Sequence, residues 1–367
     1  MHTLVTGGAG FIGSALVDRL LAEGHTVDVV DNLSAGSLWN LADARAGAGR
    51  DLTFHQLDLR SPDVGDLIVR RKPEVVWHLA AHTDLGVADP VADAHVNVVG
   101  TVGVVEAVLA AGTRKLIVTS SAAVYGEMRG DGQAAESHPR RPMSPHGVGK
   151  HAVDAYLTVF AGLESVVFTS MVLGTVYGPH ATAGVVASWA DCLVSGRPCT
   201  VFGDGRQIRD FVYVDDVVDA LARAAGRGDG MVLNVGTGAG TSLAELHALM
   251  VDRAGALLAE RAAADPDQGW DLEVEAAPED GGSWVELVVE EAAPGEVDGL
   301  SDEGGDEPRA RRGPPLGLRH AAARPGEPLR VVLDPSRAAT TLDWAPWTSL
   351  PEGIEAVLRA RMSAQTV

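Results

Sequence analysis

A glycine-rich segment near the start of the chain constrains the fold more than any other feature of the sequence. It reads Gly7-Gly-Ala-Gly10-Phe-Ile-Gly13, follows a β-branched run at Thr3 to Thr6 and opens a helical pattern over Gly10 to Glu23. The first glycine permits a tight turn, the second lets a ligand approach the backbone, and the third lets the helix pack closely. The segment therefore predicts a strand, a turn and a helix in succession.

Short β-branched runs alternate with helical patterns through the first half of the chain. This alternation predicts a parallel sheet with helices on both faces. The further predicted strands are Thr26 to Val30, Leu52 to Gln56, Glu74 to His78, Lys115 to Thr119 and Ser165 to Ser170. Helices are predicted at Val96 to Ala111 and Gly149 to Ala161, and small residues on one face of each suit either a dimer interface or ordinary packing.

The alternation loosens after Gly178-Pro179, which is typical of a smaller second domain. Within this part we predict a helix at Val212 to Ala225 and a strand at Met231 to Asn234. The stretch at about 262–323 then departs in composition. A β-hairpin is predicted between Trp270 and Val288, and a mobile linker from Ala292 to Pro315.

The net charge of −21 is concentrated in one segment. Residues Asp265 to Glu307 hold 16 acidic side chains and no Lys or Arg, so the rest of the chain carries a net charge of only about −5. No basic stripe is present, which argues against a nucleic-acid partner. We interpret the acidic segment as a tolerated insertion, with contact to a basic partner as the alternative.

Composition also bears on location and on metal sites. We find no apolar run that approaches the roughly 20 residues needed to span a membrane, and no signal-peptide pattern at the start, so we expect a cytoplasmic protein without a membrane partner. The two cysteines, Cys192 and Cys199, stand outside any metal-ligand pattern. We expect reduced thiols and no metal site.

A dinucleotide site follows from the glycine segment taken together with Asp31. The start of the first helix offers oriented N–H groups to a pyrophosphate. Asp31 closes the second strand 24 residues after Gly7, where a carboxylate can accept hydrogen bonds from a ribose diol and would repel a 2′-phosphate. This pair predicts NAD rather than NADP. Asp58 and Leu59 are weaker candidates for the adenine end, because Asp58 could equally cap a helix.

Several motifs in one order give the chain a resemblance to a known family. They are Gly7 to Gly13, Asp31, Leu79-Ala-Ala81, Asn97, Ser120-Ser-Ala-Ala-Val-Tyr-Gly126, Lys150 and Gln207-Ile-Arg-Asp-Phe-Val-Tyr-Val-Asp-Asp216. With them the chain resembles the extended short-chain dehydrogenases that act on nucleotide sugars, and most of all the UDP-glucose 4-epimerase group. The resemblance covers residues 1–255 and resumes from Arg324 to Pro346.

The resemblance implies a Rossmann-type doubly wound parallel sheet with a smaller C-terminal substrate domain. The NAD-binding domain would span 1–170, with 207–237 returning to it, and the substrate domain 171–367. A homodimer is also implied. The implied cofactor contacts are Gly7, Gly10, Phe11, Ile12, Gly13, Asp31, Asn32, Asp58, Leu59, Leu79, Ala80, Ala81, Asn97 and Lys150.

The same resemblance assigns the substrate and catalytic positions. Ser121 would bond the reacting sugar hydroxyl, and Lys150 would bind the nicotinamide ribose and lower the pKa of the base. Arg209 would contact the sugar nucleotide's diphosphate, and Arg324 would make a second contact to the nucleotide. Thr175 and Val172 stand where the family carries asparagine and arginine, which implies altered contacts to the substrate.

His146 stands four residues before Lys150, where the family carries its catalytic tyrosine. A neutral imidazole can accept a proton near pH 7, although it is shorter than a phenol. Three interpretations stay open: a working base, a protein that binds without turnover, or a substitution in an otherwise normal enzyme. Tyr125 and Tyr177 could replace it only if the fold brings them near.

The residues after Ser121 favour one reaction type. The family's dehydratases carry an Asp-Glu pair there, whereas this chain has Ala122-Ala123 and so lacks a proton carrier for eliminating water. We therefore expect an NAD-dependent nucleotide-sugar 4-epimerase acting on a UDP-hexose. The alternatives are a binding protein with weak or no catalysis and another sugar-modifying enzyme of the same superfamily.

Overall fold

The computed structural model describes residues 1–82, 89–164, 167–264 and 317–364. The acidic segment at 265–307, the hairpin and the linker predicted around it lie outside these described residues.

The strands form one large and two small sheets. Their bounds are β1 His2–Thr6, β2 Thr26–Asp31, β3 Leu52–Gln56, β4 Val75–His78, β5 Lys115–Ser121, β6 Phe168–Leu173, β7 Thr175–Tyr177, β8 Cys199–Phe202, β9 Ile208–Tyr213, β10 Met231–Val235, β11 Gly240–Ser242, β12 Leu318–Ala321 and β13 Arg330–Val331. The large sheet has seven parallel strands in the order β10-β6-β5-β4-β1-β2-β3. The chain therefore reverses its direction of winding between β1 and β4, where a parallel sheet opens a crevice for ligands.

Helices cover both faces of this sheet, as expected for a doubly wound fold. Their bounds are α1 Phe11–Ala22, α2 Ala42–Gly47, α3 Pro62–Arg71, α4 Pro90–Asp93, α5 Thr101–Ala111, α6 Pro145–Glu164, α7 Val185–Val194, α8 Val214–Arg223, α9 Leu243–Ala264, α10 Ser336–Leu342 and α11 Leu350–Ala364. One face is packed by α1 and α8 around Leu16 and Leu221. The other is packed by α3, α5 and α6 around Ile68, Val104 and Leu157. The predicted Rossmann-type fold is confirmed.

The remaining strands build a smaller unit beside the large sheet. Strand β9 pairs with β7, β11 and β13, and β8 pairs with β12. Helices α7, α9 and α11 pack a separate apolar core around Trp189, Leu246 and Ile354. After β9 the chain returns through α8, which packs on α1, to β10 at the edge of the large sheet.

Several predicted element bounds were wrong, among them the helix expected from Val96, whose helical run begins at Pro90. The strand expected from Ser165 begins at Phe168, and the helix expected from Val212 begins at Val214, because Ile208 to Tyr213 forms β9. Helix α6 begins at Pro145, four residues before the predicted start, since proline is well suited to a first helical position. His146 therefore lies in the first turn of this helix.

The expectation about apolar runs also needs correction. One helical run extends from Pro90 to Ala111 and consists of α4, a π-helical stretch at Ala94–Gly100 and α5. With a mean hydropathy of 1.6, this run is long and apolar enough to cross a membrane. Val104, Val105 and Val108 of this run are buried in the core beneath α3 and α6, as in a core helix. Val91 and Val99, on the same run, are exposed.

Candidate active site

The glycine turn lies at the C-terminal end of β1, against the residues that follow β4. Gly7 has a φ of 70°, and a Cβ on it would lie 2.7 Å from the backbone nitrogen of Ala80. A Cβ on Gly13 would clash with the Gly7 carbonyl oxygen. Gly10 precedes α1 and offers no side-chain cap, so the first-turn N–H groups of Phe11 and Ile12 are left for a ligand. This turn fits the pyrophosphate of a dinucleotide, and a side chain on Gly7 or Gly13 would displace the backbone that shapes it.

Asp31 is held beside the glycine turn as a hydrogen-bond acceptor. Its Oδ2 accepts from the backbone N–H of Ala9 at 3.0 Å, and its Oδ1 accepts from the backbone N–H of Leu33 at 2.8 Å. Two fixed donors leave lone pairs on both oxygens, because a carboxylate can accept about four hydrogen bonds. The carboxylate therefore fits the ribose diol of NAD, and its charge opposes a 2′-phosphate.

The residues expected at the adenine end are tied to one another. Asn32 donates from Nδ2 to Asp58 Oδ2 at 2.9 Å, which links the ends of β2 and β3. The Arg60 guanidinium bonds Asp58 and holds the pKa of this carboxyl well below its usual range. The helix-cap interpretation of Asp58 was wrong, because Ser61 caps α3. Leu59 lies close against Gly100.

The chain after β4 passes directly over the glycine turn. Leu79 packs on the core beneath α1, and the Ala80 N–H donates to Thr6 Oγ1 at 3.3 Å. The next residue, Ala81, leads to His82, the last residue before a gap in the described ranges. Asn97 then clamps the main chain of His82 from the π-helical stretch, accepting from its N–H at 2.8 Å and donating to its carbonyl at 2.9 Å.

Ser121, His146 and Lys150 converge at the C-terminal end of β5. Ser121 ends this strand, and its Oγ accepts from the backbone N–H of Ala123 at 3.2 Å. Lys150 donates from Nζ to the carbonyl of Thr119, on the same strand, at 2.8 Å. The start of α6 presses on the turn after Ser121, since a Cβ on Gly147 would lie 2.7 Å from the Ala123 carbonyl oxygen.

The electrostatics of this site keep the His146 ring neutral. Burial lowers the pKa of His146 to about 4, and the nearby charge of Lys150 acts in the same direction. Burial also lowers the pKa of Lys150 to about 8, against the opposing influence of Asp154 and Asp93. At neutral pH the site therefore pairs an uncharged imidazole with an ammonium group that can donate to ribose hydroxyls.

The arginines expected to contact the sugar nucleotide lie on β9 and on the segment before β13. Arg209 donates from Nη2 to Glu327 Oε1 at 2.7 Å, and burial lowers the pKa of its guanidinium although Glu327 opposes the shift. The Arg324 guanidinium stacks over the Phe202 ring, 3.8 Å from its centroid. Thr175 begins β7 and pairs with Phe211 on β9, whereas Val172 is buried in β6.

The two spare tyrosines do not replace the missing base. The Tyr125 hydroxyl donates to Asn234 Oδ1 at 2.7 Å, and burial raises the pKa of this phenol to about 12. Tyr177 is buried in the smaller unit, edge-on to the rings of Phe211 and Tyr213. Both side chains serve packing, which leaves His146 as the side chain in the position of the base.

The sequence analysis did not identify three residues that contact the site. Glu327, Phe202 and His82 touch residues that were singled out, yet none was assigned a role. Glu327 is three residues beyond Arg324 and His82 directly follows Leu79-Ala-Ala81, so proximity to a motif was the available signal. Phe202 carried no such signal, because its partner Arg324 is distant in sequence.

Comparison with known proteins gives one consistent result. The model of the NAD dependent epimerase/dehydratase family matches residues 3–236. A UDP-glucose 4-epimerase of Mycolicibacterium smegmatis is 46% identical over 264 residues, which is 70% of this chain and 83% of that protein.

Two solved structures extend the similarity to nearly the whole chain. A UDP-glucose 4-epimerase of Thermotoga maritima, determined with UDP-glucose, is 30% identical with a TM-score of 0.78 and covers 100% of this chain and 99% of its own. The UDP-glucose 4-epimerase of Thermus thermophilus, determined with NAD, is 31% identical with a TM-score of 0.77 and covers 99% and 100%.

Proposed function

Because the chain belongs to the NAD-dependent epimerase/dehydratase family, we propose that it is an NAD-dependent 4-epimerase of a UDP-hexose. The observation that carries this proposal is the convergence of Ser121, His146 and Lys150 at the end of β5, beside a turn shaped for a dinucleotide. The names of the similar proteins support the choice of substrate, since the relative at 46% identity and both solved structures are UDP-glucose 4-epimerases.

Each part of the cofactor would meet a different group of residues. The turn from Gly7 to Gly13 would hold the pyrophosphate and Asp31 the adenosine ribose, while Lys150 would reach the nicotinamide ribose. When bound, NAD would supply the redox chemistry, which is reversible hydride exchange with carbon 4 of the sugar on either face.

The protein's own task is to take one proton from the C4 hydroxyl and to give it back when the hydroxyl forms again on the other face. His146 is neutral at physiological pH, so its unprotonated ring nitrogen can accept this proton. The Ser121 hydroxyl can bridge the sugar and the ring, because it both donates and accepts. Ala122 and Ala123 provide no carboxylate for eliminating water, which favours epimerisation over dehydration.

The test measures interconversion of UDP-glucose and UDP-galactose by the purified protein and two variants. We expect His146→Tyr to raise kcat by about 10- to 100-fold, because the longer phenol restores reach. His146→Phe, which has a similar shape without a proton acceptor, should lower kcat by about 100-fold or more.

Ligand binding separates catalysis from the binding-only alternative. Retention of NAD and UDP-hexose without turnover in both the natural protein and His146→Tyr would reject the epimerase and favour a binding protein. Equal turnover of the natural protein and His146→Phe would show that His146 is not the base.

We also propose that the protein is a homodimer through the outer faces of α5 and α6. These helices pack side by side, and α6 exposes Val148, Tyr156, Val159 and Leu163 while Val99 is exposed on the preceding run. Leu163 is 75% exposed, which is costly for a large apolar side chain in water. A second copy would cover this stripe symmetrically.

Light scattering on size-exclusion eluates tests this dimer. Leu163→Glu should shift the protein toward the monomer mass, because it buries a charge in the interface. Trp39→Glu changes a side chain that is 86% exposed elsewhere and should leave the mass unchanged. A monomeric natural protein, or an unchanged mass for Leu163→Glu, would contradict the proposed interface.

We also divide the chain into a cofactor-binding domain and a substrate-binding domain. We assign residues 1–170, with 207–237 returning, to cofactor binding and 171–367 to substrate binding, supported by β10 joining the large sheet beside β6. Strand β9, which carries Arg209 within the returning stretch, departs from this division because it pairs in the smaller unit. The proposed setting is the cytoplasm, where NAD and nucleotide sugars are available.

A further inference from the structure

A chain of hydrogen bonds connects an acidic side chain on α4 to the imidazole of His146. Asn97 donates from Nδ2 to Asp93 Oδ2 at 2.9 Å and to the His82 carbonyl at 2.9 Å. Its Oδ1 accepts from the His82 N–H at 2.8 Å. The same His82 carbonyl lies 3.2 Å from Nδ1 of His146. Asn97 thus holds both backbone groups of the residue that touches the His146 ring.

This contact determines which nitrogen of the ring carries the proton. A carbonyl oxygen can only accept, so Nδ1 must be the donor in the pair with His82. A neutral imidazole has one N–H, which leaves the lone pair on Nε2. The lone pair on Nε2 is the part of the ring that can take a proton from a sugar hydroxyl.

Asn97 is itself anchored from the other side. Its carbonyl accepts from Thr101 Oγ1 at 2.8 Å, and Thr101 Oγ1 lies 2.8 Å from Nε2 of the buried His78. Asp93 and Asn97 are both buried, at 3% and 1% exposure. A side chain fixed at this many points can hold its partner within a few tenths of an ångström, which is the tolerance a proton acceptor needs.

We propose that Asn97 is a positioning residue, which fixes the main chain of His82 so that its carbonyl holds His146 with the proton on Nδ1 and the acceptor on Nε2. This role differs from the cofactor contact expected for Asn97, and its value for catalysis rests on the proposed function. A tyrosine at position 146 would need no such device, because a phenol has a single oxygen.

The direct test is nitrogen NMR of the purified protein labelled with ¹⁵N-histidine. His146→Gln assigns the His146 signals among the 12 histidines. We expect a neutral ring protonated at Nδ1 in the natural protein, and a shift toward the Nε2-protonated form in Asn97→Ala. His95→Gln, an exposed change on the same π-helical stretch, should leave the His146 signals in place.

Two results would overturn the proposal: a natural protein with His146 protonated at Nε2, or His146 signals that are the same in Asn97→Ala. If Asn97→Ala does not fold, Asn97→Gln provides the second comparison, since it keeps the amide but displaces it by one methylene group. The tautomer in the natural protein can be read in either case.

A kinetic cycle tests whether Asn97 acts through His146. Asn97→Ala should lower kcat by about 10-fold more in the natural protein than in His146→Tyr, because only the imidazole has a tautomer to set. Losses in cofactor binding affect both backgrounds equally and cancel. Equal losses in kcat would assign Asn97 a purely structural role.

The two hypotheses fail separately. If neither the natural protein nor His146→Tyr turns over any UDP-hexose while NMR gives the expected tautomers, the epimerase proposal fails and the positioning by Asn97 stands. If turnover is found but the His146 signals are the same in the natural protein and in Asn97→Ala, the positioning proposal fails and the epimerase proposal stands.

Discussion

The crevice has a proposed cofactor end, from Gly7 to Asp31, and a proposed substrate end, around Arg209 and Glu327. The two ends are built from different chemical groups. The cofactor end uses glycines, main-chain N–H groups and Asp31, all within one strand-helix-strand unit of about 30 residues. The proposed substrate end would use side chains such as Arg209 and Glu327, which are 118 residues apart in sequence and bonded to each other. The first therefore depends on backbone shape, which tolerates no added atom, and the second on charge pairs that can be rearranged.

Among substitutions compared at neutral pH, the largest effect should come from adding one methyl group at the cofactor end. Gly13→Ala places a Cβ against the Gly7 carbonyl, so we expect about 3 kcal/mol of lost stability and loss of NAD retention. Thermal unfolding and the cofactor content after gel filtration measure both. Gly255→Ala is the matched control, because nothing lies near its added Cβ on α9, and it should gain about 0.5–1 kcal/mol. Equal behaviour of the two variants would show that the turn is not sterically fixed.

A smaller and more selective effect is expected at the substrate end. Arg209→Met removes charged hydrogen bonds to a diphosphate, which should weaken UDP binding by about 30-fold, or about 2 kcal/mol, and leave NAD binding unchanged. Isothermal titration with UDP measures this loss. Arg206→Met removes an exposed arginine from the same segment and should change UDP affinity little. An equal loss of NAD and UDP affinity would break the distinction between the two ends.

A third effect is shared by both ends and is seen only when the pH is lowered. Burial lowers the pKa of His78, beneath the cofactor end, to about 3 and that of His146 to about 4, from an ordinary value of 6.5. Below pH 6.5 both histidines bind a proton in the unfolded chain but stay neutral in the folded chain. The free energy of unfolding should therefore fall from pH 6.5 to pH 4. The slope is about 1.4 kcal/mol per pH unit for each ring.

Denaturant titrations at several pH values measure this slope. His146→Gln should remove the contribution of one ring, while the exposed His95→Gln should leave the slope as it is. A natural protein whose stability does not change between pH 6.5 and pH 4 would contradict the neutral burial of both histidines.

The difference between the ends also explains what the sequence could predict. The glycine turn, Asp31 and the parallel sheet were predicted because local spacing and β-branched alternation encode them. The run around Val212 was assigned wholly to a helix, because the end of β9 and the start of α8 share β-branched residues. The Arg209–Glu327 pair and the Asn97–His82–His146 contacts depend on tertiary placement, which spacing along the chain does not encode.

Helix α6 begins at Pro145 and carries His146 and Lys150 one turn apart. The separation between the imidazole and the ammonium group is therefore set by the helical repeat of the backbone. Exchange of the aromatic side chain at position 146 leaves Lys150 where it was. A substitution at the proposed proton-accepting position can therefore leave the proposed ribose-binding ammonium of Lys150 in place.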